Sequence, residues 1–209
     1  MKGTVENLKE ETYMVITISR EYGAYGRSVA KALSKRLGIE YYDVDFVRMT
    51  AKKSGYSEED VSREGETLSA GSRFINSFLS TSAYNSSYDE IFLAQKEVVL
   101  ELAKKTCIMV GRCSNIILRE AGVRTFDVFL HADHDFRKAH AMELNEYGKV
   151  DVDRYMDRCD HWRKTYYRAY TGHEMGNYHD HDLSIDVGKI GFDRTVELLV
   201  SLLKDMLAD

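Results

Sequence analysis

The sequence predicts an α/β protein whose parallel sheet carries helices on both faces. Short apolar runs without polar alternation recur along the chain, as strands buried on two sides require. Segments of helical periodicity separate them, as parallel crossovers require. The first such run leads directly into a glycine-bearing loop and then a helix. At 209 residues the chain suits one domain with a genuine core.

Residues 1–13 are polar and read as an arm, leaving 14–209 as the domain. Met14 to Ile18 is a buried strand, and Ser19 to Gly26 is its loop. Val29, Leu33 and Leu37 then recur every four residues and stop at Gly38, which describes a helix with one apolar face. Ile39 to Asp43 is a second strand. From 54 to 88 the chain is Ser-, Glu- and Gly-rich with scattered aromatics, and reads as a helical insertion. Ile91, Gln95, Val98 and Leu102 mark another helix. Cys107 to Val110 is a third strand, ended by Gly111-Arg112, and the next helix carries Ile116, Ile117 and Glu120. Phe126 to Leu130 is a fourth strand. Two polar helices follow over about 133–147 and 151–170, within the span 133–172. Asp182 to Val187 is the last strand, and Val196, Leu199, Leu202, Leu203 and Met206 pattern the closing helix.

Composition narrows the function. With 29 basic and 34 acidic residues the net charge is −5, which argues against a general nucleic-acid coat. No run approaches the ~20 apolar residues of a membrane helix, and the opening segment is too polar for a secretory signal. Cys107, Cys113 and Cys159 form no CxxC pair, so reduced thiols in a cytoplasmic protein are expected. The expected partners are small molecules, with neither nucleic acid nor membrane, and a homo-oligomer is allowed.

The first loop has the chemistry of an anion cradle. Amides at a helix N-terminus lack intrahelical acceptors and carry partial positive charge. In the run Gly23-Ala24-Tyr25-Gly26-Arg27-Ser28, the glycines permit close backbone approach, Arg27 adds a cation and Ser28 offers a hydroxyl to Mg²⁺. Against the pattern G-x-x-x-x-G-K-[ST], the segment keeps Gly26 and Ser28, but has Glu21 for the first glycine and Arg27 for the lysine. These residues alone fit a tight strand-to-helix turn equally well. The position after the first strand favours a ligand.

Ile16 to Ala30 resembles the opening of the cytidylate kinase-like family of P-loop proteins. The resemblance continues through Leu37 to Asp43, Gln95 to Val99, Ile108 to Asn115, Tyr166 to Gly172 and Asp182 to Val187. It implies a three-layer P-loop NTPase fold with a five-stranded parallel sheet, an acceptor-binding insertion and a lid. It also implies ATP and Mg²⁺, transfer of a phosphoryl group to CMP or dCMP, and an acceptor phosphate gripped by Arg112. Asp43 resembles the aspartate of an acceptor-binding Tyr-x-Asp motif, placed to meet acceptor or metal, with Asp45 as the adjacent alternative. In the lid, Asp157, Asp160 and Arg163 match the family signature, while Met156 replaces its first arginine. Arg137 is expected on the donor phosphates. Arg154 and Arg158 share a helical face and could converge on one phosphate; a solvated face of Asp–Arg pairs is the alternative. Val110 stands where related kinases place an acidic residue.

The remaining candidates carry less. His131, His134, His173, His179 and His181 lie in polar stretches without zinc-like spacing or cysteine partners. Tyr166, Tyr167 and Tyr170 suit base stacking or, more commonly, helix packing. Cys107 and Cys113 have no histidine base nearby in sequence, so nucleophilic chemistry is not expected of them. The leading expectation is an ATP-dependent nucleoside monophosphate kinase. The alternatives are a nucleotide-binding sensor with little catalysis and a P-loop kinase for another small acceptor.

Overall fold

The computed structural model describes residues 13–43, 45–59, 61 and 87–208. Expectations for the arm before Tyr13 and for most of the 54–88 insertion fall outside these residues. Along the described chain run β1 (Val15–Arg20), α1 (Gly26–Leu37), β2 (Glu40–Tyr42) and α2 (Asp45–Ser54). There follow α3 (Ser87–Leu102), β3 (Cys107–Val110), α4 (Ser114–Glu120), β4 (Thr125–His131), α5 (His134–Leu144) and α6 (Val152–Thr171). A 3₁₀ turn at Tyr178–Asp180, β5 (Leu183–Asp186), α7 (Val187–Ile190) and α8 (Phe192–Ala208) complete it.

The five strands are all parallel, in the order β2-β3-β1-β4-β5. Strand β1 is central and buried on both faces, and its alternation sorts the helices into layers. Met14, Ile16 and Ile18 pack with Val29 and Leu33 of α1 and with Leu199 and Leu203 of α8. Val15 packs on the opposite side with Val99 of α3, Ile117 of α4 and Tyr167 of α6. The expected three-layer α/β fold is therefore observed. Gly38, at φ 71°, ends α1 and donates its amide to the Ser34 carbonyl, while Lys35 and Arg36 complement the negative end of the helix.

After β1 the chain builds β2 and β3 on one flank, then β4 and β5 on the other. The order thus reverses beside the C-terminal edge of β1, where open α/β sheets form their ligand crevice. The loop after β1 lies at that edge. Strand β1 also runs to Arg20, two residues beyond its predicted end, which makes Arg20 part of the rigid sheet. Helices α2 and α7 were not predicted. Phe46, Thr50 and Ala51 are the buried residues of α2, too few apolar positions for a clear period.

Candidate active site

The loop from Glu21 to Tyr25 is held from behind. Its curl requires left-handed backbone at Gly23 (φ 81°) and Tyr25 (φ 61°). A Cβ at Gly23 would run into the Arg137 carbonyl, so only glycine lets α5 approach this closely. Tyr25 tolerates its conformation because its ring stacks on His140 at 3.5 Å between centroids, nearly parallel. The His140 ring also meets the Gly23 carbonyl through Nδ1 at 3.0 Å. From α6, Asp160 accepts the Tyr22 amide at 2.6 Å. Arg137 donates to Asp160 at 2.6 Å, to the Tyr22 carbonyl at 3.0 Å and to the Ala132 carbonyl at 3.2 Å, and pairs with Glu21 at 3.3 Å. Arg137, expected on phosphate, commits its Nε and Nη1 donors to the protein here and clasps the loop. Beyond Tyr25, α1 starts without a side-chain cap, so the amides of Gly26, Arg27 and Ser28 open its N-terminus.

In front of the loop lies a cavity of about 200 Å³. Arg20, Arg27, Arg112 and Arg163 border it, together with Asp43, Trp162, Tyr166 and Tyr167. A smaller depression along the loop itself, bordered by Gly23, Gly26 and Ser28, shares Arg20, Arg27 and Arg163 with it. Asp43 binds the Arg27 Nε at 2.8 Å and stands 3.6 Å from Arg20. Arg27 also meets Glu146 at 2.9 Å, and Glu146 in turn accepts the Tyr22 hydroxyl at 2.8 Å. Burial works against the Arg27 charge, but Asp43 and Glu146 outweigh it and hold its pKa above the ordinary value. Burial, reinforced by Arg163 and opposed by Asp43, brings Arg20 down to about 9. It remains protonated at neutral pH, in a pocket of like charge.

Arg112 enters the cavity from a strained segment. Gly111, Arg112 and Cys113 are left-handed in succession, at φ 74°, 60° and 56°. The Gly111 amide extends the ladder to the Ile18 carbonyl at 3.0 Å, and Gln95, itself buried, donates to the Arg112 carbonyl at 3.3 Å. Gln95 also donates to the Tyr166 hydroxyl at 2.8 Å, which ties the aromatic wall to the same loop. Burial raises the Cys113 and Cys107 thiols to about 12, so neither supplies a thiolate.

Several expected residues thus meet at one place: Arg27, Arg112, Arg163 and Asp43 on the cavity, with Gly23, Gly26 and Ser28 adjoining it. Ala24 is buried within the loop. Arg154 is exposed, and Arg158 lies over the rings of Tyr155 and Trp162 at 5.3 and 4.9 Å; neither borders the cavity. Asp157 is exposed as well, whereas Asp160 is buried as the loop clamp. Tyr166 and Tyr167 are core residues whose edges reach the cavity, so the packing and ligand-facing readings both describe them. His173 pairs with Asp180 at 3.0 Å and His181 with the Asn177 carbonyl at 3.0 Å, away from this site. Sequence reasoning passed over Arg20 and Trp162. Arg20 lay inside the quoted motif, and its placement at the end of a central strand was the usable signal.

No curated protein matches the chain. Among solved structures, an uncharacterized protein from Eubacterium ventriosum superposes with a TM-score of 0.65 at 21% identity, over 91% of this chain and 98% of that one. Shikimate kinase from Bacteroides thetaiotaomicron gives 0.54 at 14% identity over 94% and 99%, and a sugar kinase from Janibacter sp. gives 0.52 at 12% over 92% and 95%. These likenesses show a P-loop kinase fold. The model of the cytidylate kinase-like family matches residues 15–189. With that match over most of its 209 residues and that fold beneath it, the chain is a kinase belonging to the cytidylate kinase-like family.

Proposed function

We propose that the protein transfers the terminal phosphoryl group of ATP to the phosphate of a small acceptor, CMP or dCMP. The observation that carries this reading is the convergence of Arg20, Arg27, Arg112 and Arg163 on a cavity beside the α1 N-terminus, with Asp43 as its bordering carboxylate. Donor and acceptor phosphates repel each other, and phosphoryl transfer is mostly a matter of placing them in line and neutralising them. The α1 amides suit the donor phosphates. Arg112 offers a planar fork to the acceptor phosphate. Arg163 presents charge from α6, while Trp162 and Tyr166 supply an apolar wall that limits water. The pyrimidine preference rests on the family match.

Ser28 and Asp43 suit Mg²⁺, a hard cation that takes few protein oxygens and completes its shell with phosphates and water. When bound, the ion would neutralise phosphate charge. Asp43 would offer it Oδ1, since Arg27 holds Oδ2.

The test is ADP formation from MgATP with CMP, dCMP, UMP, AMP or no acceptor. Strong stimulation by a cytidine nucleotide supports the reading, and a flat panel with ATP shown to bind overturns it. One feature favours the second reading, a nucleotide-binding sensor with little turnover: buried Val110 offers the metal no carboxylate, while Asp43 is engaged by Arg27.

A further inference from the structure

Arg20 occupies a place that neither the lysine-less loop nor the lid explains. It is the last residue of β1, between the ends of β3 and β4. Its stem crosses the start of α1, where a Cβ at Gly26 would meet the Arg20 Cγ at 2.6 Å. Its guanidinium reaches the other side of the crevice, where a Cβ on Gly111 would overlap Nη1. Gly26 after β1 and Gly111 after β3 are thus the glycines that make room for Arg20. One rigidly based side chain spans the gap between the loops.

Its charge is poorly answered within the protein. Only 15% of the side chain is exposed, and among the described residues its carboxylate contact is Asp43 at 3.6 Å. Arg163, Arg27 and Arg112 stand around it and disfavour its charge, as does burial. A guanidinium has five N–H donors in a fixed fork. Arg27, by contrast, is half exposed, and both of its carboxylate contacts are short.

We propose that Arg20 is a catalytic residue, the guanidinium that binds the phosphoryl group in transit between the donor loop and the acceptor loop. The inference rests on the phosphotransfer reading. In the step, the bond from the terminal phosphorus to the β-phosphate bridging oxygen breaks, and its electron pair leaves on ADP. An oxygen of the acceptor phosphate forms the new bond to that phosphorus. Arg20 keeps its proton throughout and spreads two N–H donors over the equatorial oxygens, where charge must be stabilised. Lysine would supply charge without the fork.

The test compares Arg20→Met and Arg20→Lys with the parent protein, using whichever monophosphate stimulates ADP formation most. Arg20→Met should lower kcat about 10³-fold, with both KM values changing by less than about tenfold, and Arg20→Lys should recover part of the loss. Because Met removes a cation from a cluster of like charge, the melting temperature should hold or rise; a merely structural arginine would lower it. A kcat within about tenfold of the parent in folded Arg20→Met, or a loss confined to KM, overturns the proposal. Should Arg20→Met not fold, the neutral Arg20→Gln decides by the same kcat criterion. Should the parent turn over no monophosphate, the phosphotransfer reading fails separately. With it falls the proposal for Arg20, whereas an active parent with an unimpaired Arg20→Met overturns that proposal alone.

Discussion

At Arg27, Asp43 holds Nε and Glu146 holds Nη1, donors for which a nucleotide phosphate would compete. Binding must exchange one anion for another, so the resident carboxylates set part of the affinity. Removing the charge of Glu146, which is distant from the acceptor loop, should tighten ATP binding: Glu146→Gln is expected to lower the calorimetric Kd about two- to tenfold, within the range for exposed charge-assisted bonds. Weaker binding would show that Glu146 assists the nucleotide. The thiols allow a pH test. Burial raises the Cys113 and Cys107 thiols to about 12, so both stay protonated at pH 8. Cys113 and Cys159 both border the cavity, and Cys159 is the less buried of the two. Peptide mapping after iodoacetamide at pH 8 should find Cys159 labelled first, and MgATP should slow that labelling. Early modification of Cys113 would contradict the closed Gly111–Cys113 segment.

Two loops, each built from left-handed residues, carry the elements' contribution. The loop after β1 owes its shape to α5 and α6 through Arg137, His140 and Asp160. Gly23→Ala would place a methyl against the Arg137 carbonyl at a positive φ, so about 1–3 kcal/mol of stability should be lost and ATP affinity should fall at least tenfold. Unchanged ATP affinity in a calorimetric titration would mean that the loop does not contact the donor. The loop after β3 depends on Gln95, whose donor answers the strained Arg112 carbonyl. Gln95→Leu should raise the acceptor KM about five- to tenfold and leave the ATP KM within twofold, because the bonds lost are to Arg112 and Tyr166 and none is to the loop after β1.

The whole molecule concentrates positive charge at one edge of a chain whose net charge is −5. That concentration costs stability until an anion arrives. Inorganic pyrophosphate at 100 times its Kd should stabilise the fold by about 2.7 kcal/mol, a rise in melting temperature of about 5–10 °C. Sodium chloride at equal ionic strength should do much less, since screening is weaker than occupation of a built site. The sheet beneath is the rigid base: Ile16 is wholly buried at its centre, and Ile16→Ala should cost about 2–5 kcal/mol in chemical denaturation.

Periodicity, the glycine-bearing loop and the ordered motifs were properties of the sequence by itself, and they determined the α/β class, the five strands and the family. Those signals are local: an apolar run or a four-residue repeat reports which face is buried wherever the element ends up. Element ends and charge partners depend on distant neighbours. Helix α2 was not legible because few of its residues are buried, and Arg20 went unnoticed because strand periodicity says nothing about a polar residue at a strand's edge. Arg137, expected on the donor phosphates, has Asp160, 23 positions away in the chain, at its guanidinium. Tertiary structure alone decided which arginines share the cavity, because an arginine's role is set by the anion within reach, and that anion lies on another element.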